Sequence, residues 1–149
     1  MLGVLLAGQA GLLCGTPPGD LGVRDGKLKA PSATDNSVTS QADLWPGHPQ
    51  SAAARIAPLP LKVSSQQTLA TLQRLVQQTP GAVVVKADAG YLYATFTTRW
   101  LKFTDDVEFW VDPDALVVHV RSASRLGKKD MGVNRARVED LRARLQAAP

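Results

Sequence analysis

The chain has 149 residues, 44% hydrophobic and 20% charged, with mean hydropathy −0.08 and net charge +4, which fits one globular domain that buries its own core. Two His and one Cys fall short of the about four ligands of a closed zinc site and exclude an internal disulfide framework. No apolar run reaches the ~18–20 residues of a membrane-spanning helix.

Residues Met1 to Cys14, MLGVLLAGQAGLLC, are uncharged and mostly apolar. Their length suits the ~7–15-residue hydrophobic region of an export signal, and Cys14 is a candidate lipidation site. Two features complicate that reading. No Lys or Arg precedes the run, and Leu13 stands where lipoprotein processing wants a small residue. The expectation is an envelope address, periplasmic or membrane-anchored. A cytoplasmic chain with this segment packed on the domain is the alternative.

Residues 15–60 change texture, with Pro and Gly concentrated among Ser, Thr and Asp. No helical or strand period survives there, so an extended segment lying along the surface is expected. Leu21, Val23, Leu28, Val38, Leu44, Trp45 and Ile56 give it apolar contacts.

Residues 61–149 carry the periodic pattern of an α+β domain. Ser64 and Gln67 fit a capping box, Leu69, Leu72 and Val76 share one helical face, and Pro80-Gly81 stops the helix. Four strands are predicted at Ala82–Ala87, Tyr91–Thr98, Asp106–Val111 and Leu116–Ser122. Val107, Phe109 and Val111 share one face of the third, with Asp106, Glu108 and Trp110 on the other. In the fourth, Leu116, Val118 and Val120 point inward and Val117, His119 and Arg121 outward. The short Asp88-Ala89-Gly90 and Asp112-Pro113-Asp114 turns leave no room for parallel crossovers, so the sheet is expected to be a four-stranded antiparallel meander. A last helix is predicted from about Asn134, its N-cap, to Ala147, burying Val138, Leu141 and Leu145. The two helices then flank the sheet.

Charge is unevenly distributed. Residues 1–60 hold four basic and four acidic side chains, whereas residues 121–149 hold eight basic against three acidic. An acidic cluster, Asp105, Asp106, Glu108, Asp112 and Asp114, lies just upstream of that basic end. Adjacent clusters of opposite sign satisfy each other more readily than they recruit a polyanion. Nucleic acid is therefore the weaker reading, since single-strand binders interleave basic residues with exposed aromatics.

Catalytic constellations are weak. Ser122 and Ser124 lie near His119, but no nucleophile elbow is present. Asp105 and Asp106 resemble an acid–base pair, yet neighbours on a strand point to opposite faces. His48 and His119 lack metal-ligand spacing, and nothing spells a cofactor motif. The densest polar information is the stretch Arg121 to Arg137, which links the last strand to the last helix. Its expected role is a structural network of Asp105, Asp106, Glu108, Arg121, Arg125, Asp130, Asn134 and Arg135. The alternative is an anion site built on Arg121, Arg125 and Arg135, suited to a phosphate or lipid headgroup.

Four strings carry a resemblance: Asp20-Leu-Gly-Val-Arg-Asp-Gly-Lys-Leu28, Phe103-Thr-Asp-Asp-Val-Glu-Phe109, Arg121-Ser-Ala-Ser-Arg-Leu-Gly127 and Asp130-Met-Gly-Val-Asn-Arg135. They are similar to the bacterial and plastid domain-of-unknown-function family 1499, over roughly Asp20 to Leu145. The resemblance implies an envelope or lumen protein, often with a lipoprotein-like or membrane N-terminus, and no established activity. The family pattern commonly reads Cys-Pro and, shortly after, Asn-Cys. Here Ala30-Pro31 and Asn36-Ser37 stand in those places, so a redox or metal role there is not expected.

The functional expectation is a non-enzymatic envelope domain, with a small-ligand binding module as the first alternative. A hydrolase-like enzyme is the second, conditional on Asp105, Asp106 and His119 converging.

Overall fold

The computed structural model describes residues 2–149, which leaves Met1 of the N-terminal segment outside the described residues. The elements in chain order are α1 Leu2–Gln9, β1 Ser37–Thr39, a 3-10 turn at Ala42–Leu44, α2 Ser51–Ala54, β2 Leu59–Pro60 and α3 Ser65–Gln77. They continue with β3 Ala82–Asp88, β4 Tyr91–Thr97, β5 Thr104–Asp112, β6 Val117–Ser124 and α4 Val133–Ala147.

The α+β class holds, but the strand count does not. The predicted meander β3-β4-β5-β6 is present, and β1 and β2 both add antiparallel to the free edge of β6, making six strands. Neither added strand has enough residues to show a period. Pro60 is tolerated in β2 because that strand lies at the sheet edge. Residues 15–60 are thus not one extended segment; they hold β1, the 3-10 turn, α2 and β2.

Helices α3 and α4 cover one face of the sheet. Leu69, Leu72, Leu75 and Val76 of α3 and Val138, Leu141 and Leu145 of α4 pack on Leu92, Ala94, Phe96, Val107, Phe109, Val118 and Val120. Each fully buried Leu or Val contributes about 1.5–3 kcal/mol. Ser64 caps α3 by accepting the Gln67 amide at 3.2 Å. Two local expectations fail. Leu116 is not an inward strand residue but a turn residue with φ 55, 65% exposed. Asn134 is not the cap of α4. The helix opens at Gly132 (φ 80), and the Asp130 carboxylate accepts the Gly132 and Asn134 amides at 2.9 and 3.0 Å.

The second face of the sheet is covered over β5 and β6, while Val83 and Val85 of β3 stay exposed. The Asp20–Ala30 stretch lies across it as a strap, with the Gly22 amide on Glu108 and the Ala30 carbonyl on Arg121. Glu108 and Arg121, on the face away from the helices, are therefore buried.

Gly81 closes the helix-to-sheet turn at φ +80, and a Cβ there would sit 2.3 Å from the Thr97 carbonyl oxygen. Gly81→Ala is expected to destabilise by about 2–4 kcal/mol in thermal unfolding, combining left-handed strain with a backbone clash. Gly90→Ala, with nothing within 4 Å, should stay within about 0.5 kcal/mol. Equal costs would contradict this account of the turn.

Candidate functional site

Strand periodicity sends the adjacent carboxylates of β5 to opposite faces, and each meets its own arginine. On the helix side, Asp105 Oδ2 accepts from Arg137 Nη2 at 2.5 Å. The same guanidinium donates to Ser122 Oγ at 3.0 Å and Asn134 Oδ1 at 2.9 Å, and lies 4.8 Å from the Phe96 ring centroid. Asn134 is fully buried and saturated. Its oxygen also accepts from Ser122 Oγ, and its amide donates to Ser124 Oγ, Asp130 Oδ2 and the Asn36 carbonyl. Asn36 donates in turn to the Gly127 and Ser124 carbonyls. This network ties the start of α4 to β5, β6 and the residue before β1.

On the strap side, Asp106 and Arg125 form a fork: Nε donates to Oδ2 at 2.9 Å and Nη2 to Oδ1 at 2.8 Å. Tyr93 Oη adds a donor to Oδ1 at 2.5 Å. The Asp106 bond holds the Arg125 guanidinium above its ordinary pKa, while burial and Asp106 push the Tyr93 phenol up to about 12. One register step away, Glu108 faces Arg121 across the strands. Glu108 Oε1 accepts from Tyr91 Oη and the Gly22 amide, both at 2.7 Å, while Oε2 is buried without a partner. Arg121 donates Nε to the Ala30 carbonyl at 3.0 Å and feels Glu108, Asp106 and Asp20 through space. Burial pushes the Glu108 carboxyl above its ordinary range and pulls the Arg121 guanidinium down. Burial and the Glu108 charge raise the Tyr91 phenol as well.

The residues named for the catalytic alternative do not converge. His119 lies on the strap side, its Nδ1 3.0 Å from Ser40 Oγ, its Nε2 3.4 Å from Asp112 Oδ2, and its ring stacked on Trp110. Burial lowers its pKa, with Asp112 opposing. Ser122 and Ser124 point to the helix side, and Asp105 and Asp106 diverge, so neither the triad nor the paired acid expected of these residues assembles; His119 instead bridges Ser40 and Asp112. His48 Nδ1 accepts the Gln50 amide, far along the chain from His119. Among the described residues, no three His, Cys, Asp or Glu side chains could hold a metal ion together.

The three candidate anion contacts also separate. Arg121 and Arg125 are on the strap side, whereas Arg135 of α4 donates to the Ala53 and Arg55 carbonyls, both at 2.9 Å. Arg135 thus binds backbone rather than an acid. It lines a cavity of about 280 Å³ with Asp35, Lys129 and Asp130. At the positions read as departures from the family pattern, the Ala30 carbonyl receives Arg121 and Ser37 Oγ accepts the Ser32 amide. The networks also recruit Tyr91 and Tyr93, which the sequence reading passed over, and Arg137, whose place in the first turn of the last helix calls for an acidic partner such as Asp105 but which was left out of the expected network. Arg137 was legible as the residue one helical turn after Asn134, and the tyrosines as cross-strand neighbours of Glu108 and Asp106.

The family described as Protein of unknown function (DUF1499) matches residues 27–145. The chain belongs to that family. Of the DUF1499-like strings, the three C-terminal ones fall within the match, and they supply Asp105, Asp106, Glu108, Arg121, Arg125, Asp130 and Asn134 of the two networks. The Asp20–Gly26 portion precedes it. No curated protein and no solved structure matches the chain.

The Glu108 carboxyl makes a pH signature. Its folded pKa lies above the ordinary 4.5, so above that pH the folded chain holds more proton than the unfolded one and stability falls as pH rises. Glu108→Gln removes this slope. Its melting temperature should gain on the wild type progressively as pH is raised from 4.5; parallel profiles would contradict the burial of a charged carboxylate there.

Proposed function

We propose that this DUF1499 domain is a non-enzymatic component of the cell envelope, tethered by its apolar N-terminal segment. In this reading the Asp/Glu–Arg network is structural, and its task is to hold helix, strap and sheet together. The observation that carries the reading is the exposure of Leu2, Val4, Leu6 and Leu12 at 73, 49, 62 and 73%. These side chains belong to an uncharged stretch whose apolar residues do not gather on one face. Such a segment has no stripe with which to pack on the domain, and a lipid environment satisfies all its sides. No helix among the described residues is long and apolar enough to cross a membrane, so the tether is a short inserted segment or a lipid on Cys14. The pairing of Asp105 with Arg137 and Asp106 with Arg125 supports the structural role, because both acids are engaged on opposite faces.

A second reading, a module for an anionic or amphipathic small ligand, is supported by the Arg135 and Lys129 cavity. It asks less of the N-terminal segment and explains less of it.

The test is fractionation of cells expressing the full chain. The wild type is expected with membranes or periplasm, and a Leu6→Asp, Leu12→Asp double variant is expected to shift to the soluble cytosol. An unprocessed wild type found wholly in the cytosol would overturn the proposal.

A further inference from the structure

We infer that the end of the sheet carrying the β4–β5 turn and the β6–α4 loop is a docking surface for a bilayer containing anionic lipid. This rests on the envelope reading above and adds the face that meets the membrane.

Antiparallel register fixes the geometry. Thr97 pairs with Thr104 and Asp105 with Ser124, so residues 98–103 and 125–132 leave the sheet at the same end. The Arg125 amide donates to the Thr104 carbonyl at 3.1 Å and binds the two connections to each other. The first reads Arg99-Trp100-Leu101-Lys102, with Trp100 62% exposed and the Arg99 guanidinium 4.8 Å from its ring centroid. The second carries Leu126, Lys128, Lys129 and Met131, with Met131 90% exposed on a left-handed backbone of φ 55.

The apolar N-terminal segment departs from this same end. A Cβ on Gly15 would lie 2.8 Å from Arg125 Cβ and 3.2 Å from Leu126 Cγ, so the chain passes directly against the loop. The opposite end of the sheet has the reverse charge, with Asp88, Asp112 and Asp114 in or beside its turns. Near the basic end, Asp130 is occupied in capping α4, and Asp35 is exposed beside Lys129.

An exposed indole, aliphatic tips and a rim of Lys and Arg make the chemistry of an interfacial bilayer contact. The ring sits at headgroup level, the aliphatic side chains enter the acyl boundary, and the cations meet anionic headgroups. Each basic side chain near such a surface strengthens binding about fivefold. Nucleic acid fits less well, because Met131 and Leu126 answer neither a phosphate nor a base edge.

The experiment mixes the full chain with phosphatidylcholine vesicles, with and without phosphatidylglycerol, and measures sedimentation together with tryptophan quenching by brominated lipid. Binding is expected to be at least about tenfold tighter to the phosphatidylglycerol vesicles and to weaken with salt. Lys128→Gln with Lys129→Gln should remove about 10- to 30-fold of that affinity. Trp100→Phe should abolish the quenching, leaving Trp45 and Trp110 unquenched. Equal binding to both compositions without Trp100 quenching overturns the docking surface and leaves the N-terminal tether standing. Binding to neither overturns both. A single-stranded RNA bound through Lys128 and Lys129, with no preference for phosphatidylglycerol, assigns the surface to nucleic acid and also overturns it.

Discussion

A strand with both faces covered cannot leave a carboxylate unanswered, and β5 carries three of them in four residues, at Asp105, Asp106 and Glu108. A buried charge costs several kcal/mol unless a partner of good geometry compensates it. Strand alternation prevents one arginine from serving both adjacent aspartates. Two are supplied, from different places in the chain: Arg137 from the first turns of α4, and Arg125 from the residue after β6. The pairing is therefore also an assembly rule. Asp105 meets its countercharge by the docking of α4, and Asp106 meets its own from Arg125, whose amide carries the β5–β6 pairing one residue past β6.

Glu108 is answered differently. It draws on the strap amide of Gly22 and the Tyr91 hydroxyl, while Arg121 opposite is spent on the Ala30 carbonyl. Both ends of the strap are thus held by charged side chains rather than by an apolar stripe. One carboxylate oxygen remains unpartnered, so the cost of the polar layer is concentrated at this residue. The same Arg125 that closes the Asp106 clamp precedes Leu126 and abuts Gly15, which places the exposed loop and the exit of the N-terminal segment side by side.

Much of this was legible in the residues. Alternation along β5 told that Asp105 and Asp106 part company, the short turns told the meander, and Ser64 told the start of α3. What the alternation could not tell is what lies over each face. Arg121, Glu108 and His119 were assigned to an outward face, but that face lies under a segment whose Pro and Gly content erases any period. For the same reason β1 and β2 were missed, being too short for a pattern to register. Asn134 was misread because a helix-start Asn is ordinarily a cap; here Asp130 does the capping and frees the Asn side chain to bridge Ser122, Ser124 and Asn36. Arg135 and Arg137 are alike in the sequence, and only the helix docking sends one to backbone carbonyls and the other to Asp105.

The most direct test is a pair of double-mutant cycles in chemical denaturation, one on Asp105 and Arg137 and one on Asp106 and Arg125. Each alanine substitution alone should cost about 3–5 kcal/mol, because it abandons a buried charge, while each double variant should cost far less than the sum. The expected coupling is about 2 kcal/mol or more within each pair. Couplings within about 0.5 kcal/mol of zero, the value for sites that act independently, would contradict the claim that Arg137 and Arg125 each answer one buried aspartate of β5.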